Sequence, residues 1–403
     1  MSTDVVALSV GDRITCEITR MAHGGEGIGH ADDGRVVFVA DAFPGDTVDV
    51  TLTQVKKKFL RGQSVGVVKP SQLRGPSRCA AADAGAGCCD FHHLREDAEL
   101  EIKKDILLGQ LSRVASPDSL PQVESRTLQP TQGWRTRVRL GVDAQGRAGF
   151  RRRGSRDIVA GQPCSQVADG VLDGVVDATS GSFAPGAELV AVRDSQGRRH
   201  LAQTAKASRG RRVETVTTTL EGPGEVTEKV GELEFRFPPT AFWQAHVAAP
   251  AEYCRVIEQA LDGIQGATAW DLYGGVGLFA PVLAKFCEQV VSVDYSDAAD
   301  TAQPALEGLN VRHLNSRVDG AIAQLPAPDV VVLDPPRTGA GHKVISDVAA
   351  AQPRRVVHIG CDPATFSRDL GYWLEAGYSC TEMVLIDAFP GTHHFEVISV
   401  FER

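Results

Sequence analysis

Cys361 closes the apolar run Arg355-Val-Val-His-Ile-Gly and is followed at once by Asp362 and Pro363. This pattern predicts a strand ending in a thiol, with a helix starting at the proline. The positive end of that helix would favour the thiolate, and a thiolate is a nucleophile. For a cysteine of this kind taken alone, inert burial is the alternative role. A second run, Asp387-Ala-Phe-Pro-Gly-Thr-His-His-Phe-Glu396, leads into the last apolar stretch, Val397–Phe401. It places a carboxylate, Glu396, and two histidines, His393 and His394, where another strand begins. Nucleophile and carboxylate together suit a two-stage chemistry. The thiolate adds to an electron-poor ring carbon, and the base later removes a proton from the neighbouring carbon. The histidines either orient Glu396 or serve as structural groups.

The elements that must position this pair are legible from about Ala241 onward, where helices alternate with short apolar strands in the manner of a doubly wound α/β domain. The strands are expected at Ala269–Leu272, Gln289–Val293, Val330–Leu333, Arg355–Ile359, Cys380–Ile386 and Val397–Phe401. In Thr268-Ala-Trp-Asp-Leu-Tyr-Gly-Gly-Val-Gly-Leu-Phe279 the first strand runs through Asp271 and Tyr273 into a glycine turn and a helix. The order D-x-Y-G-G-x-G, rather than G-x-G-x-x-G, resembles the first motif of class I methyltransferases and not a pyrophosphate clamp. Val290-Val-Ser-Val-Asp294 ends in a carboxylate 23 positions after Asp271, where such folds hold ribose hydroxyls. A helix cap is the other role for Asp294. Asp334 likewise ends a strand and opens Asp334-Pro-Pro-Arg337. Amino-methyltransferases carry an aromatic after such prolines; Arg337 stands there instead and directs the chemistry elsewhere.

Residues 8 to about 70 alternate as short strands, at Arg13–Thr19, Arg35–Ala40 and Thr47–Thr53, with turns expected at Gly24–Gly29 and Pro44–Asp46. They predict a small β-barrel whose edge carries Lys56, Lys57, Lys58, Phe59 and Arg61. This stretch resembles the TRAM domain, an RNA-binding barrel. A cysteine-bearing loop, Cys79 to Cys89, and a helix from Leu94 to about Val114 follow, and residues 130–240 return to short strands. The expected division is a barrel at 1–70, a β-rich middle domain at 71–240 and a methyltransferase domain at 241–403. The net charge of −9 argues against a polyanionic partner, but 16 Lys plus Arg stand against 8 Asp plus Glu between Pro121 and Arg212, leaving −17 for the rest. Arg151, Arg152 and Arg153 are the densest part of that excess, which is either an RNA face or a solvated one.

Five motifs agree in order and spacing with one family: the TRAM-like barrel, Phe242-Trp-Gln-Ala-His, Asp271-Leu-Tyr-Gly-Gly, Leu333-Asp-Pro-Pro-Arg with Cys361-Asp-Pro-Ala-Thr after it, and Asp387 to Glu396. Over nearly its whole length the chain resembles the TrmA/RumA family of RNA uracil-5-methyltransferases. The resemblance implies that Gln244, Tyr273, Asp294 and Asp334 contact S-adenosylmethionine, that Cys361 attacks uracil carbon 6, and that Glu396 is the base. It also implies a [4Fe–4S] cluster on Cys79, Cys88, Cys89 and Cys164. The adjacency of Cys88 and Cys89 departs from the usual C-x-x-C spacing and leaves zinc or a bare loop as alternatives. Asp362 and Gly391 are further departures, and Asp362 adds negative charge beside the nucleophile. Cys16, Cys254, Cys287 and Cys380 read as core residues.

A cytoplasmic monomer is expected, since no basic leader or roughly 20-residue apolar span is present. The expected partner is ribosomal RNA of the large subunit, with the T-loop of transfer RNA second. A non-catalytic RNA-binding protein and a small-molecule or DNA methyltransferase are the competing classes.

Overall fold

The structure is a computed structural model that describes residues 8–177, 179–209, 212–296, 298 and 301–403. Residues 1–7 of the expected barrel domain and Arg211 of the basic stretch lie outside it. Strands β1 (Arg13–Met21), β2 (Gly27–His30), β3 (Val36–Ala40), β4 (Thr47–Val55) and β5 (Phe59–Lys69) close into a barrel in the order β1-β2-β3-β5-β4. Alternate residues fill it, among them Cys16, Ile18, Val37, Val39, Val48, Val50, Leu52 and Leu60, as the period of two requires. The stretch expected as a turn, Gly24–Gly29, is half strand. A Cβ on Gly27 would stand 2.4 Å from the Ala42 carbonyl oxygen, and one on Gly29 2.5 Å from that of Glu17. These two glycines permit close backbone approach rather than a bend.

Beyond the barrel come a short helix α1 (Ala80–Asp83), the long helix α2 (Glu96–Leu111) and strand β6 (Val123–Thr127). A six-stranded antiparallel sheet follows, built of β7 (Arg137–Val142), β8 (Ala148–Arg151), β9 (Ile158–Ala160), β10 (Glu188–Arg193), β11 (Arg199–Arg209) and β12 (Arg212–Glu221). Its order is β12-β11-β10-β7-β8-β9. The hairpin β13 (Val226–Val230) and β14 (Leu233–Phe237) leads to helix α3 (Ala249–Ala260).

The C-terminal sheet contains β15 (Gly266–Leu272), β16 (Cys287–Asp294), β17 (Val311–Asn315), β18 (Val330–Leu333), β19 (Arg355–Gly360), β20 (Ser379–Asp387) and β21 (Glu396–Glu402). Helices α4 (Ala280–Leu283), α5 (Val318–Ala321), α6 (Gly341–Ala350) and α7 (Pro363–Glu375) connect them. The order is β17-β16-β15-β18-β19-β21-β20-β6, parallel except for β21. This is the doubly wound α/β domain that the motifs predict, with one addition. Strand β6, from the stretch expected to form the middle domain, pairs in parallel with β20.

Residues along each central strand go alternately to two cores. Ala269, Val330, Val332, Val357 and Ile359 face α3 and the β13–β14 hairpin. Trp270, Leu272, Val331, Leu333 and Val356 face α2, α6 and α7. Burial on both faces explains why these strands read as unbroken apolar runs. Among the described residues no helix is long and apolar enough to cross a membrane.

Candidate active site

Strand order alone assembles most of the site. The carboxyl ends of β16, β15, β18 and β19 release Asp294, Tyr273, Asp334 and Cys361 in turn, and β21, running the other way, begins at Glu396 on the same edge. Gly360 is paired with Val397, so Cys361 and Glu396 continue neighbouring strands, whose separation is about 5 Å. Tyr273 sits at φ 62°, directly before Gly274. A Cβ on Gly274 would stand 2.4 Å from Asp271 Oδ2 and 2.3 Å from Ser292 Oγ. Asp294 Oδ2 accepts the Gly275 backbone N–H at 3.1 Å, which fastens the acid to the glycine turn. Gln244 is buried and donates through Nε2 to Asp334 Oδ2 at 3.4 Å. The structure therefore gathers Gln244, Tyr273, Asp294, Asp334, Cys361 and Glu396 at one sheet edge.

The electrostatics of this edge are set by burial and by its carboxylates, which outweigh the one cation that acts on Cys361 and Glu396, Arg337. Burial pushes the Cys361 thiol up to about 12; Glu396, Asp334 and Asp362 add to the shift and Arg337 opposes it. Burial, then Asp334, holds Glu396 well above the usual carboxylate range, again against Arg337. Asp334 and Asp271 are both raised to about 7, chiefly by burial. The expectation that the end of α7 would favour a thiolate is corrected here. Asp362 caps that helix, accepting from the N–H groups of Ala364 and Thr365 at 3.0 and 2.9 Å, so a carboxylate already occupies the positive end.

Sequence reasoning missed several residues that shape the pocket. Arg337, noted only as a departure, is the cation that opposes both shifts, and its Nη2 donates to His394 Nε2 at 3.3 Å. His394 is driven down to about 3 by burial, His393 and Arg337, so it is a neutral acceptor. The His393 ring lies tilted against that of His394, centroids 3.9 Å apart, and donates from Nδ1 to Asp90 at 2.6 Å. Tyr253 on α3 is fully buried, its hydroxyl has no partner among the described residues, and the charges of Glu396, Asp334 and Cys361 reach it. Tyr295, next to Asp294, and Phe242 leave 76% and 71% of their surface open. An aromatic beside a strand-end acid was the one available signal for Tyr295.

The loop before Glu396 is fastened from α2. Buried Lys103 meets Asp387 at 2.6 Å and donates to the Phe389 carbonyl at 3.2 Å. Glu99, paired with Arg78 and Lys103, accepts the Gly391 N–H at 2.7 Å. Gly391 lies at φ 81°, the left-handed region in which glycine is at ease. That conformation accounts for glycine at this position.

The four cysteines converge. All four Sγ atoms lie within 4.8 Å of one another, with Cys79–Cys88 at 3.8 Å and Cys89–Cys164 at 3.6 Å. The adjacent pair Cys88 and Cys89 does reach one centre. The other five cysteines behave as expected of core residues in four cases, Cys16, Cys254, Cys287 and Cys380 being buried.

The arginine triplet is not a free basic edge. Arg151 pairs with Glu188 at 2.7 Å, Arg153 pairs with Asp90, and Arg152 lies against Gly85. Much of the remaining excess is already engaged. Arg137 is buried on the carbonyls of Pro239 and Ala241, and Arg147, Arg198 and Arg199 are ion-paired.

Comparison with known proteins agrees with this geometry. Residues 8–65 match the TRAM domain and residues 306–403 the tRNA (uracil-5-)-methyltransferase family. An RNA methyltransferase of Corynebacterium glutamicum, itself uncharacterized, is 52% identical over 100% of this chain and 99% of its own. A 23S rRNA (uracil(1939)-C(5))-methyltransferase of Methylococcus capsulatus is 30% identical over 97% of each chain. The chain belongs to the RNA (uracil-5-)methyltransferase family. The fold of this methyltransferase is shared with the Pyrococcus abyssi tRNA (uracil-54, C5)-methyltransferase, solved in complex with S-adenosyl-L-homocysteine. The TM-score is 0.72 at 20% identity, over 96% of this chain and 99% of that one. As a family member it is an S-adenosylmethionine-dependent RNA methyltransferase.

Proposed function

We propose that this methyltransferase forms 5-methyluridine in large-subunit ribosomal RNA through a covalent bond between Cys361 and uracil carbon 6. The observation that carries the reading is the placement of Cys361 and Glu396 on adjacent strands beside the glycine turn. S-adenosylmethionine, held by Gln244, Tyr273, Asp294 and Asp334, supplies a methyl group on a sulfonium. The Cys361 thiolate adds to carbon 6, and the electron pair reaches carbon 5, which takes the methyl as the broken methyl–sulfur bond leaves its pair on a neutral thioether. Glu396, in its ionised form, then removes the carbon-5 proton, and the electrons of that C–H bond expel Cys361 and restore the ring; the burial that raises the Glu396 pKa makes the ionised form rarer and a stronger base. The ribosomal target is favoured by the full-length likeness to a 23S rRNA enzyme. Tritium release from RNA labelled at uridine carbon 5, and a denaturant-stable adduct with 5-fluorouridine RNA on Cys361, test the chemistry. Loss of both in Cys361→Ala, with cofactor binding intact, is the expected result. Mapping 5-methyluridine in ribosomal and transfer RNA from a deletion strain tests the target; loss from transfer RNA alone would reverse the assignment.

Cys79, Cys88, Cys89 and Cys164 are proposed as the ligands of a metal centre. An all-sulfur donor set suits a [4Fe–4S] cluster, and Arg135 lies within electrostatic reach of three of the thiols. A second reading has its own observation. Separations of 3.6 and 3.8 Å match the edge of a tetrahedron of thiolates about one zinc ion, about 3.8 Å for bonds of about 2.3 Å. Either group would staple the loop after the barrel to the middle sheet. Anaerobically purified protein that is brown, with equal iron and sulfide, supports the cluster; colourless protein with one zinc per chain supports the ion.

A further inference from the structure

We propose that the groove between the barrel and helix α2 binds one unpaired nucleotide of the RNA, flanking the target uridine. The inference rests on the RNA reading above and adds a site to it. The groove has a volume of about 560 Å³ and is lined by, among others, Arg20, His23, Phe38, Lys58, Phe59 and Arg113. Phe38 and Phe59 meet edge to face at 5.8 Å and remain only partly covered, and the Arg61 guanidinium, itself paired with Glu26 at 2.9 Å, lies over the Phe38 ring at 5.5 Å. A half-covered aromatic pair with a cation beside it is a platform on which any base stacks.

Charge points the same way. Arg20, Lys58 and Arg113 have no ion-pair partner among the described residues, and Asp105 is the one acid lining the groove. The arginine triplet, by contrast, has two of its three charges already paired. In a chain of net charge −9, free cations beside stacking rings are what a polyanion with planar bases requires.

A single turn separates the groove from the loop that carries His393 and Glu396. The turn closed by Ala22 N–H on the Glu26 carbonyl, at 2.8 Å, gives Ala22 and His23 to the groove wall. Its other side is Gly25, where a Cβ would stand 2.9 Å from His393 Cβ. From His393 the contacts run through His394 to Arg337. A strand leaving the target pocket over this turn enters the groove directly. The base stacks on Phe59 and Phe38, and its phosphates lie between Lys58, Arg20 and Arg113.

The test uses the full-length protein, a short fluorescein-labelled oligouridylate as probe, and methyl transfer to ribosomal RNA. Phe59→Leu keeps the apolar packing but removes the ring; affinity falls about tenfold. Lys58→Gln lowers the slope of log affinity against log salt by about one. Arg151→Gln, which removes a charge already neutralised by Glu188, leaves both unchanged. Melting temperature and S-adenosylmethionine affinity stay as in wild type throughout, which separates lost binding from lost folding. RNA carrying 4-thiouridine beside the target crosslinks to the groove. Unchanged affinity and salt slope in Phe59→Leu/Lys58→Gln, or crosslinks confined to the middle sheet, would overturn the proposal and leave the groove to a protein partner. Wild-type protein that methylates no RNA refutes the function itself; variants that methylate as well as wild type refute only the groove.

Discussion

Cys361 is held as a thiol by its own surroundings, and this has a kinetic signature. With its acidity pushed to about 12, the thiolate fraction rises about tenfold per pH unit through the neutral range. Adduct formation with 5-fluorouridine RNA is expected to rise in step between pH 7 and pH 9. Arg337 is the cation that opposes the shift, so Arg337→Met slows adduct formation several-fold at pH 7 and is partly rescued at higher pH; a rate indifferent to pH in both proteins would refute this role. Asp271 gives a stability signature instead. Its folded value of about 7 stands above the unfolded value of about 3.9. The folded state thus favours the protonated form: the associated stability is present below about pH 4 and is lost as pH rises through about 7. Asp271→Asn, neutral at every pH, is expected to gain in melting temperature over wild type at pH 8 and not at pH 4, measured without cofactor. The placement of Cys361, Glu396 and the strand-end acids at one sheet edge was legible because each sits in a short local motif at a strand end. Arg337, Tyr253 and Asp90 were not, since their importance comes from neighbours distant in sequence, and a lone arginine or tyrosine carries no mark of what it faces.

Helix α7 and the loop before β21 decide how firmly the reacting groups are held. Asp362 caps α7 through two backbone N–H groups. Asp362→Ala is expected to cost about 1 kcal/mol in denaturant unfolding. Asp362→Asn keeps the cap, removes a charge that raises the Cys361 pKa, and is expected to react faster at pH 7. Lys103 lies fully buried between Asp387 and Glu99. Lys103→Met leaves Asp387 buried without its cation, while Glu99 keeps Arg78; it is expected to cost about 3 to 5 kcal/mol, with weaker adduct formation as the loop carrying Glu396 loosens. A loss within about 0.5 kcal/mol, the usual range for surface substitutions, would show that the network is not what fixes the loop. Elements were legible in proportion to their burial. Val330–Leu333 is apolar throughout because both faces are covered. Strand β17, Val311–Asn315, escaped notice because it lies at the sheet edge and no residue in it is fully buried. Strand β2 was concealed by glycines that look like a turn but serve close approach.

At the scale of the whole molecule, charge was the least legible property. A local excess in sequence left Arg151–Arg153 as either an RNA face or a solvated one, because ion pairing is a matter of three dimensions; Glu188 and Asp90 neutralise two of the three. The apparent division at Ala241 was equally incomplete, since β6 completes the sheet from outside it. A fragment of residues 241–403 leaves β20 with an unpaired edge and loses the α2 face of the second core. It is expected to aggregate on purification, whereas a fragment beginning at Glu96 retains both; a monomeric, folded 241–403 fragment would contradict this. The pairing of Val123 with Met383 also sets a delay during synthesis. At the ordinary pace of a ribosome, roughly 10 to 50 s separates the emergence of the two residues. For that time β6 has no sheet to join, and a greasy strand would find the wrong partner. Only Val123 in it is fully buried, and Glu124, Ser125, Arg126 and Thr127 are polar. The composition that hides β6 from a search for strands is the one that lets it wait in water for its place in the sheet.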